Sequence, residues 1–121
     1  MKVFRGINSQ VKGTSWQSIF EWYDNYRPGM ARFVSWLKDS EFADGLFAVT
    51  SLDTLIIGQS PEFDMGRSVI RITETNGQFS VIFREGYMHQ SEREVEEKDL
   101  IVVFCKLIRS LHWFVVENTN Q

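Results

Sequence analysis

The clearest pattern of hydrophobic and polar positions spans residues 68–85, which read SVIRITET, then NG, then QFSVIFRE. Asn76-Gly77 is the pair preferred in a type I′ turn, because both central residues of that turn need a positive φ. A two-residue loop fixes the register and places Ile72 opposite Val81. Because side chains alternate between the two faces of a strand, one face is apolar and the other mostly polar. The pattern therefore predicts a β-hairpin with one face towards a core.

Two amphipathic helices are predicted before the hairpin. Apolar residues recur at helical spacing over residues 15–26 and again over residues 30–40. Thr14 and Gln17 have the spacing of a capping box at the start of the first helix. Arg27-Pro28-Gly29 breaks the pattern between the two stretches. The short break predicts an antiparallel αα-hairpin.

Two further strands are predicted at residues 46–51 and 55–59, around a turn at Leu52-Asp53. Both segments are apolar on both faces, which is typical of strands that are central in a sheet or covered on both sides. Residues 60–67 are predicted to form a loop.

The segment after the hairpin supports two interpretations. Residues 86–90 are predicted as a loop, but residues 91–98 fit either a helix start or an edge strand. Ser91 and Glu94 have capping-box spacing, whereas Arg93, Val95 and Glu97 alternate as they would on a strand. From Asp99 onwards the apolar stripe is helical, and it comprises Leu100, Val103, Phe104, Leu107 and Leu111.

The predicted order is α-α-β-β-β-β-α, which indicates a single α+β domain over residues 1–121. It comprises an N-terminal αα-hairpin, a four-stranded antiparallel β-meander and a C-terminal helix packed on the sheet. Residues 1–13 are predicted as a loose lead-in with VFRGI as a candidate short strand, and residues 113–116 as an apolar tail.

Composition and charge exclude several classes of protein. The formal net charge is −3 and the pI is near 5.4, whereas nucleic-acid binding draws most of its affinity from basic patches. Cys105 is the single cysteine, which excludes an internal disulfide and fits a reducing compartment. No secretory signal or membrane-spanning apolar run is present. We therefore expect a cytoplasmic protein that binds neither nucleic acid nor membrane.

Residue types that carry chemistry are scattered along the chain. His89 and His112 show no spacing typical of a catalytic pair, and Cys105 lies in an apolar helical segment, where it is expected to act as a small hydrophobe. Neither a metal-ligand spacing nor a nucleotide-binding motif is present. The sequence thus predicts no cofactor, no metal and no enzymatic activity.

Two groups of residues are candidates for binding a protein partner. The first lies in an acidic cluster between Glu85 and Asp99, and its candidate binding residues are Glu92, Glu94, Glu96, Glu97 and Asp99. Glu62 and Asp64 would join the cluster if the 60–67 loop lay nearby. Such a cluster is either a solvated helix start or a docking surface for a basic protein. The second group is aromatic: Trp22, Trp36 and Tyr26 sit beside the helical stripes and belong either to the core or to an interface, and the two tryptophans are the candidates for partner binding.

Three segments carry a family resemblance: LFAVTSLDTLIIGQSPEFD, SVIRIT with NGQFSVIFRE, and DLIVVFCKLIRSL. Together they resemble small bacterial immunity proteins of polymorphic toxin and contact-dependent inhibition systems, over roughly residues 46–114. The resemblance implies a protein that binds and occludes a cognate toxin domain, which the acidic cluster suggests is basic. The alternatives are a general protein-binding or adaptor module, in one version homodimeric, and a small enzyme that uses His89, His112 or scattered acids.

Overall fold

The computed structural model describes residues 15–60, 68–86 and 88–113. The predicted lead-in, most of the predicted 60–67 loop and the end of the predicted tail lie outside these ranges. The described elements, in chain order, are α1 (Trp16–Asp24), α2 (Pro28–Lys38), β1 (Phe47–Ser51), β2 (Thr54–Gly58), β3 (Val69–Thr75), β4 (Gln78–Glu85), β5 (Met88–Glu96) and α3 (Glu97–Ser110). The α+β class is therefore confirmed, with the two N-terminal helices and the C-terminal helix as predicted.

The strands form one antiparallel sheet in the order β1-β2-β3-β4-β5. The predicted hairpin is confirmed in detail, since Ile72 lies opposite Val81 and Thr75 opposite Gln78. Asn76 and Gly77 have φ values of 53° and 82°, as a type I′ turn requires. The predicted turn at Leu52-Asp53 is also present, because Ser51 pairs with Thr54.

The prediction of four strands is wrong, because the sheet has a fifth strand. β5 occupies most of the predicted 86–90 loop and all of residues 91–96, and it pairs with β4 over almost its whole length. Its Val95 lies opposite Phe79 and is buried. Ser91 and Glu94 do not form the capping box that their spacing allows. Pairing with β4 gives this segment a ladder of backbone hydrogen bonds, which stabilises it more than a single local cap would. The helix begins directly at Glu97, within the 91–98 segment that the sequence left open between helix and strand.

Two helix starts also differ from the sequence prediction. The N-cap of α1 is Ser15, whose Oγ accepts a hydrogen bond from the Ser18 backbone N–H at 3.1 Å; the predicted cap, Thr14, lies outside the described residues. Helix α2 begins at Pro28, within the predicted break. Proline suits the first helical position because its missing N–H would have no partner there.

The three helices cover one face of the sheet and enclose the main core. Its buried residues include, from the helices, Ile19, Tyr23, Phe33, Val34, Leu37, Leu100, Phe104 and Ile108, and from the sheet, Ala48, Leu55, Ile57, Ile70, Ile72, Phe79, Val81, Phe83 and Val95. On the opposite face, Val49 and Ile56 form a smaller buried cluster with Phe47 and Val69. The predicted two-sided burial of the first two strands is thereby confirmed.

The N-terminus of α2 is capped from the sheet. Glu74 on β3 accepts a hydrogen bond from the Met30 backbone N–H at 3.0 Å, and its negative charge lies at the positive end of the helix dipole. Gly29 makes this contact sterically feasible. A Cβ atom at this position would lie 2.8 Å from Oε2 of Glu74 and 3.0 Å from Cζ of Phe79.

We expect Gly29→Ala to lower the free energy of unfolding by about 1–2 kcal/mol. Overpacking typically costs about 1–3 kcal/mol, and the higher helix propensity of alanine offsets up to about 1 kcal/mol of that. Chemical denaturation of the variant measures the loss. The matched control is Ser35→Ala in the same helix, which should change stability by less than about 0.5 kcal/mol. A neutral or stabilising Gly29→Ala would contradict the close approach of Glu74 and Phe79.

Candidate protein-interaction surfaces

Three carboxylates line the face of β5 that points away from the helices. Glu92, Glu94 and Glu96 are exposed and lie opposite Ile82, Ser80 and Gln78 of β4. Their alternation with Arg93 and Val95 places them on one face, because side chains alternate along a strand. Successive carboxylates on that face are therefore about 6.7 Å apart along the strand. We call these three residues the acidic row.

The acidic row borders an edge of the sheet. β5 is the last strand in the order, and within the described ranges it pairs with β4 alone. The edge of β5 away from β4 thus presents backbone N–H and C=O groups that no described strand takes up. Such an edge is a template for pairing with another chain, and charged side chains on it select what can pair.

An open cleft of about 600 Å³ lies between this edge and α3. Its lining includes three valines, Val95, Val102 and Val103, and three cations, Arg93, Lys98 and Lys106. Val102 is 53% exposed, which is unusual for a large apolar side chain on an otherwise amphipathic helix. Glu94, Glu96 and Asp99 also line the cleft, together with Gln78. The outer side of the edge is therefore acidic, whereas the cleft combines three valines with three cations and three carboxylates.

Glu97 differs from the other acids of the predicted cluster because it forms an ion pair with Arg32. Arg32 on α2 donates from Nε to Oε2 and from Nη2 to Oε1, the latter at 2.8 Å. This hydrogen-bonded guanidinium lowers the pKa of Glu97 below its usual range, although partial desolvation acts in the opposite direction. Of the five predicted acids, Glu92, Glu94 and Glu96 form the acidic row, and Asp99 lines the cleft together with Glu94 and Glu96. Glu97 is set apart, because its pairing with Arg32 ties α3 to α2.

Removal of the Glu97 charge should cost a small, pH-dependent amount of stability. Because the pKa of Glu97 is lowered in the folded protein, the pair stabilises the fold above the unfolded pKa of a glutamate, roughly 4.3. That contribution is lost as the pH falls through the folded pKa. We expect Glu97→Gln to be slightly less stable than the parent at pH 7 and equally stable near pH 2, measured by urea denaturation at both values. A pH-independent difference would contradict the ion pair.

The two predicted tryptophans occupy different environments. Trp22 on α1 is 51% exposed and packs edge-on against Tyr26, with ring centroids 5.6 Å apart. Trp36 on α2 is half-buried and contacts Phe33, Phe42 and Phe104. Of the two options that the sequence left open, Trp36 takes the core position, and Trp22 remains available to a partner.

The structure adds Leu52, which the sequence analysis did not single out. It is 90% exposed and has a φ of 56°, a conformation that costs most L-residues about 1–2 kcal/mol. The next residue, Asp53, accepts a hydrogen bond from Arg27 at 2.7 Å, and the Arg27 guanidinium lies 5.5 Å from the Tyr26 ring centre. The Asp53–Arg27–Tyr26 contacts thus connect the turn that carries Leu52 to the Trp22–Tyr26 pair. We call Leu52, Trp22 and Tyr26, all of them exposed, the aromatic patch. The only feature of the sequence that pointed to Leu52 was the presence of an apolar residue in a two-residue turn.

We expect Leu52→Asn to stabilise the protein by about 0.5–1 kcal/mol, because asparagine tolerates a positive φ better than leucine and an exposed leucine contributes little packing. Thermal denaturation measures the gain. Leu52→Ala removes the side chain but keeps the backbone cost, so it should show no comparable gain. If asparagine destabilised the protein, the Leu52 side chain would have a packing role in the isolated chain.

The acidic row and the aromatic patch lie at opposite ends of the sheet. The patch is at the β1–β2 turn and α1, whereas the acidic row is on β5, three to four strand spacings or about 14–19 Å away. Trp22 and the acids, the two groups of candidate binding residues in the sequence, are therefore not brought together by the fold.

The residues considered for catalysis occupy ordinary structural positions. Cys105 is half-buried on α3 and packs against the main core, and burial raises the pKa of its thiol, which favours the unreactive protonated form. His112 is exposed with a φ of 58° in the turn that ends α3, where the Trp113 N–H donates to the Ile108 carbonyl. His89 lies on β5 opposite Arg84. Within the described ranges, no three His, Cys, Asp or Glu residues are grouped to hold a metal ion.

The fold and these surfaces define an α+β protein with a meander sheet, one face covered by three helices and an acidic edge strand. No protein-family model, curated protein or solved structure matches the chain. Among the helices of the described ranges, none combines the length and apolar character needed to cross a bilayer.

Proposed function

We propose that this chain is a non-enzymatic binding protein of the immunity type, which binds a basic toxin domain and occludes it. The observation that carries the proposal is the acidic row on the edge strand β5. Complementary charge across an interface steers encounter and suppresses wrong partners, and a toxin that acts on nucleic acid needs a basic surface of its own. Occlusion of that surface inhibits the toxin without turnover.

The resemblance to immunity proteins supports the same conclusion from a different direction. The resemblance implies a role but identifies no binding residues. We therefore assign the binding site to the acidic row. The aromatic patch, about 14–19 Å away across the sheet, is not required for this contact.

The test is calorimetric titration of the protein against the C-terminal domain of the polypeptide encoded immediately upstream. We expect one-to-one binding with a nanomolar Kd, as in strong specific complexes, followed by loss of toxin activity in the complex. The control is an unrelated basic protein of similar size, which should bind weakly and lose its affinity at moderate salt. Absence of any complex with the upstream domain would overturn the immunity proposal.

A homodimeric adaptor is the second candidate, and the aromatic patch favours it. Leu52 is 90% exposed and has a positive φ, and its turn is tied through Asp53 and Arg27 to the exposed Tyr26. Backbone strain combined with an exposed apolar side chain is typical of binding positions. Light scattering of the parent and of Leu52→Asp would decide between the candidates. A parent dimer that becomes monomeric in the variant supports the adaptor, and a monomeric parent removes it.

A further inference from the structure

We infer that β5 accepts an extended segment of the partner as a sixth strand, and that this segment alternates lysine or arginine with small aliphatic residues. The inference rests on the proposed binding function and specifies the chemistry of the partner. It follows from the different character of the two sides of the β5 edge, each of which would face every second side chain of an added strand.

The outer side selects cations. On an added strand, the side chains directly opposite the acidic row would lie about 4.5–5.5 Å from it, and opposite charges at such positions stabilise a pair of strands. Glu94 and Glu96 are exposed. Glu96 is 3.7 Å from Lys98 Nζ, an exposed pair that is weak enough for an incoming cation to replace. Residues i and i+2 of an added strand have the same spacing as these carboxylates.

The inner side selects aliphatic residues. The cleft offers the buried Val95 and the half-exposed Val102, which an aliphatic side chain would cover. The charges of its lining balance, because Arg93, Lys98 and Lys106 are accompanied by Glu94, Glu96 and Asp99. The valines therefore decide which side chains fit the cleft. A uniformly basic strand would leave the valines uncovered, whereas an alternating strand covers them and also pairs with the acidic row.

A second copy of this chain fits the edge poorly. Antiparallel pairing of two β5 strands about a two-fold axis at Arg93 would set Glu92 of each copy opposite Glu94 of the other. Like charges directly opposite each other destabilise a strand pair. The acidic row therefore disfavours self-association at this edge while favouring a basic partner strand.

The experiment uses the full chain, labelled with ¹⁵N, and two peptides. The first peptide alternates lysine and valine and is about eight residues long, which matches the length of β5. The second has the same composition, with all lysines before all valines. We expect the alternating peptide to shift the amide resonances of residues 91–96 and of Val102 and to slow amide exchange along β5. The block peptide should bind at least about tenfold more weakly.

Three outcomes would overturn the inference: no shifts, shifts located away from β5 and the cleft, or equal binding of the two peptides. Val102→Asp supplies a further check, because this exposed position tolerates polar substitution and the variant should lose the alternating peptide while it stays folded. If the upstream domain binds but leaves β5 exchange unchanged, the inhibitor proposal stands and this inference fails. If the alternating peptide binds at β5 but the upstream domain does not bind at all, the inference stands and the inhibitor proposal fails.

Discussion

Phe104→Ala is expected to lower the free energy of unfolding by about 4 kcal/mol, since truncation of a buried phenylalanine costs roughly 3–5 kcal/mol. Phe104 is fully buried at the centre of an aromatic cluster on α3. Its ring makes edge-on contacts with Phe33, Trp36 and Phe42 at centroid distances of 5.2, 6.2 and 6.2 Å. Each such pair adds about 0.5–1.5 kcal/mol beyond the buried area.

A domain of this size is typically stable by only about 5–15 kcal/mol, so the loss should lower the melting temperature by on the order of 15 °C. Urea denaturation and thermal melting measure it. Val102→Ala, two residues away on the exposed side of the same helix, is the matched control and should stay within about 0.5 kcal/mol of the parent. A loss below about 1 kcal/mol for Phe104→Ala would show that the cluster is not the centre of the core.

The double charge reversal Glu94→Lys with Glu96→Lys is expected to weaken binding to the basic upstream-encoded domain by about 100-fold or more. Close charge pairs across interfaces have coupling energies of roughly 1.5–7 kcal/mol, and 100-fold corresponds to about 2.7 kcal/mol. Both side chains are exposed on the outer face of β5, so reversal should leave the fold intact. Calorimetry gives the affinity, and circular dichroism checks the fold.

The matched control is Glu41→Lys with Asp44→Lys, which makes the same change in net charge on an exposed turn after α2. We expect it to reduce affinity by less than about fivefold, because charges beyond the Debye length, about 8 Å at physiological salt, are largely screened. Equal losses in the two double variants would mean that net charge, and not the acidic row, attracts the partner. An unchanged affinity in both would remove β5 from the interface.

Much of the fold is readable from local patterns. The hairpin of β3 and β4 is specified by Asn76-Gly77 and by the alternation on either side, and both signals lie within a few residues of each other. The three helices follow from apolar spacing in the same way. The exact first residues of the helices were harder to predict from the sequence. The N-caps Ser15 and Glu96 are set by the path of the segment that precedes each helix.

The candidate site was predicted as a set of residue types but not as an arrangement. An acidic cluster is visible in the sequence, yet the pairing of Glu97 with Arg32 joins residues 65 positions apart. Likewise, Trp22 and Trp36 have similar sequence surroundings, and only the position of Phe104 and Phe42 next to one of them buries it. Leu52 was missed because a turn residue shows its backbone strain and its exposure only in three dimensions.

The sequence by itself determined the class of fold, the hairpin and its register, and the three helices, because each depends on contacts between near neighbours in the chain. Only the tertiary structure decided that residues 91–96 form a strand. Their local capping signal competes with hydrogen bonds to β4 and with the burial of Val95 against Phe79, and this second contribution exists only once the hairpin has formed. That choice aligns Glu92, Glu94 and Glu96 on one face, because alternation along a strand gathers every second side chain, which a helix would have distributed around its axis.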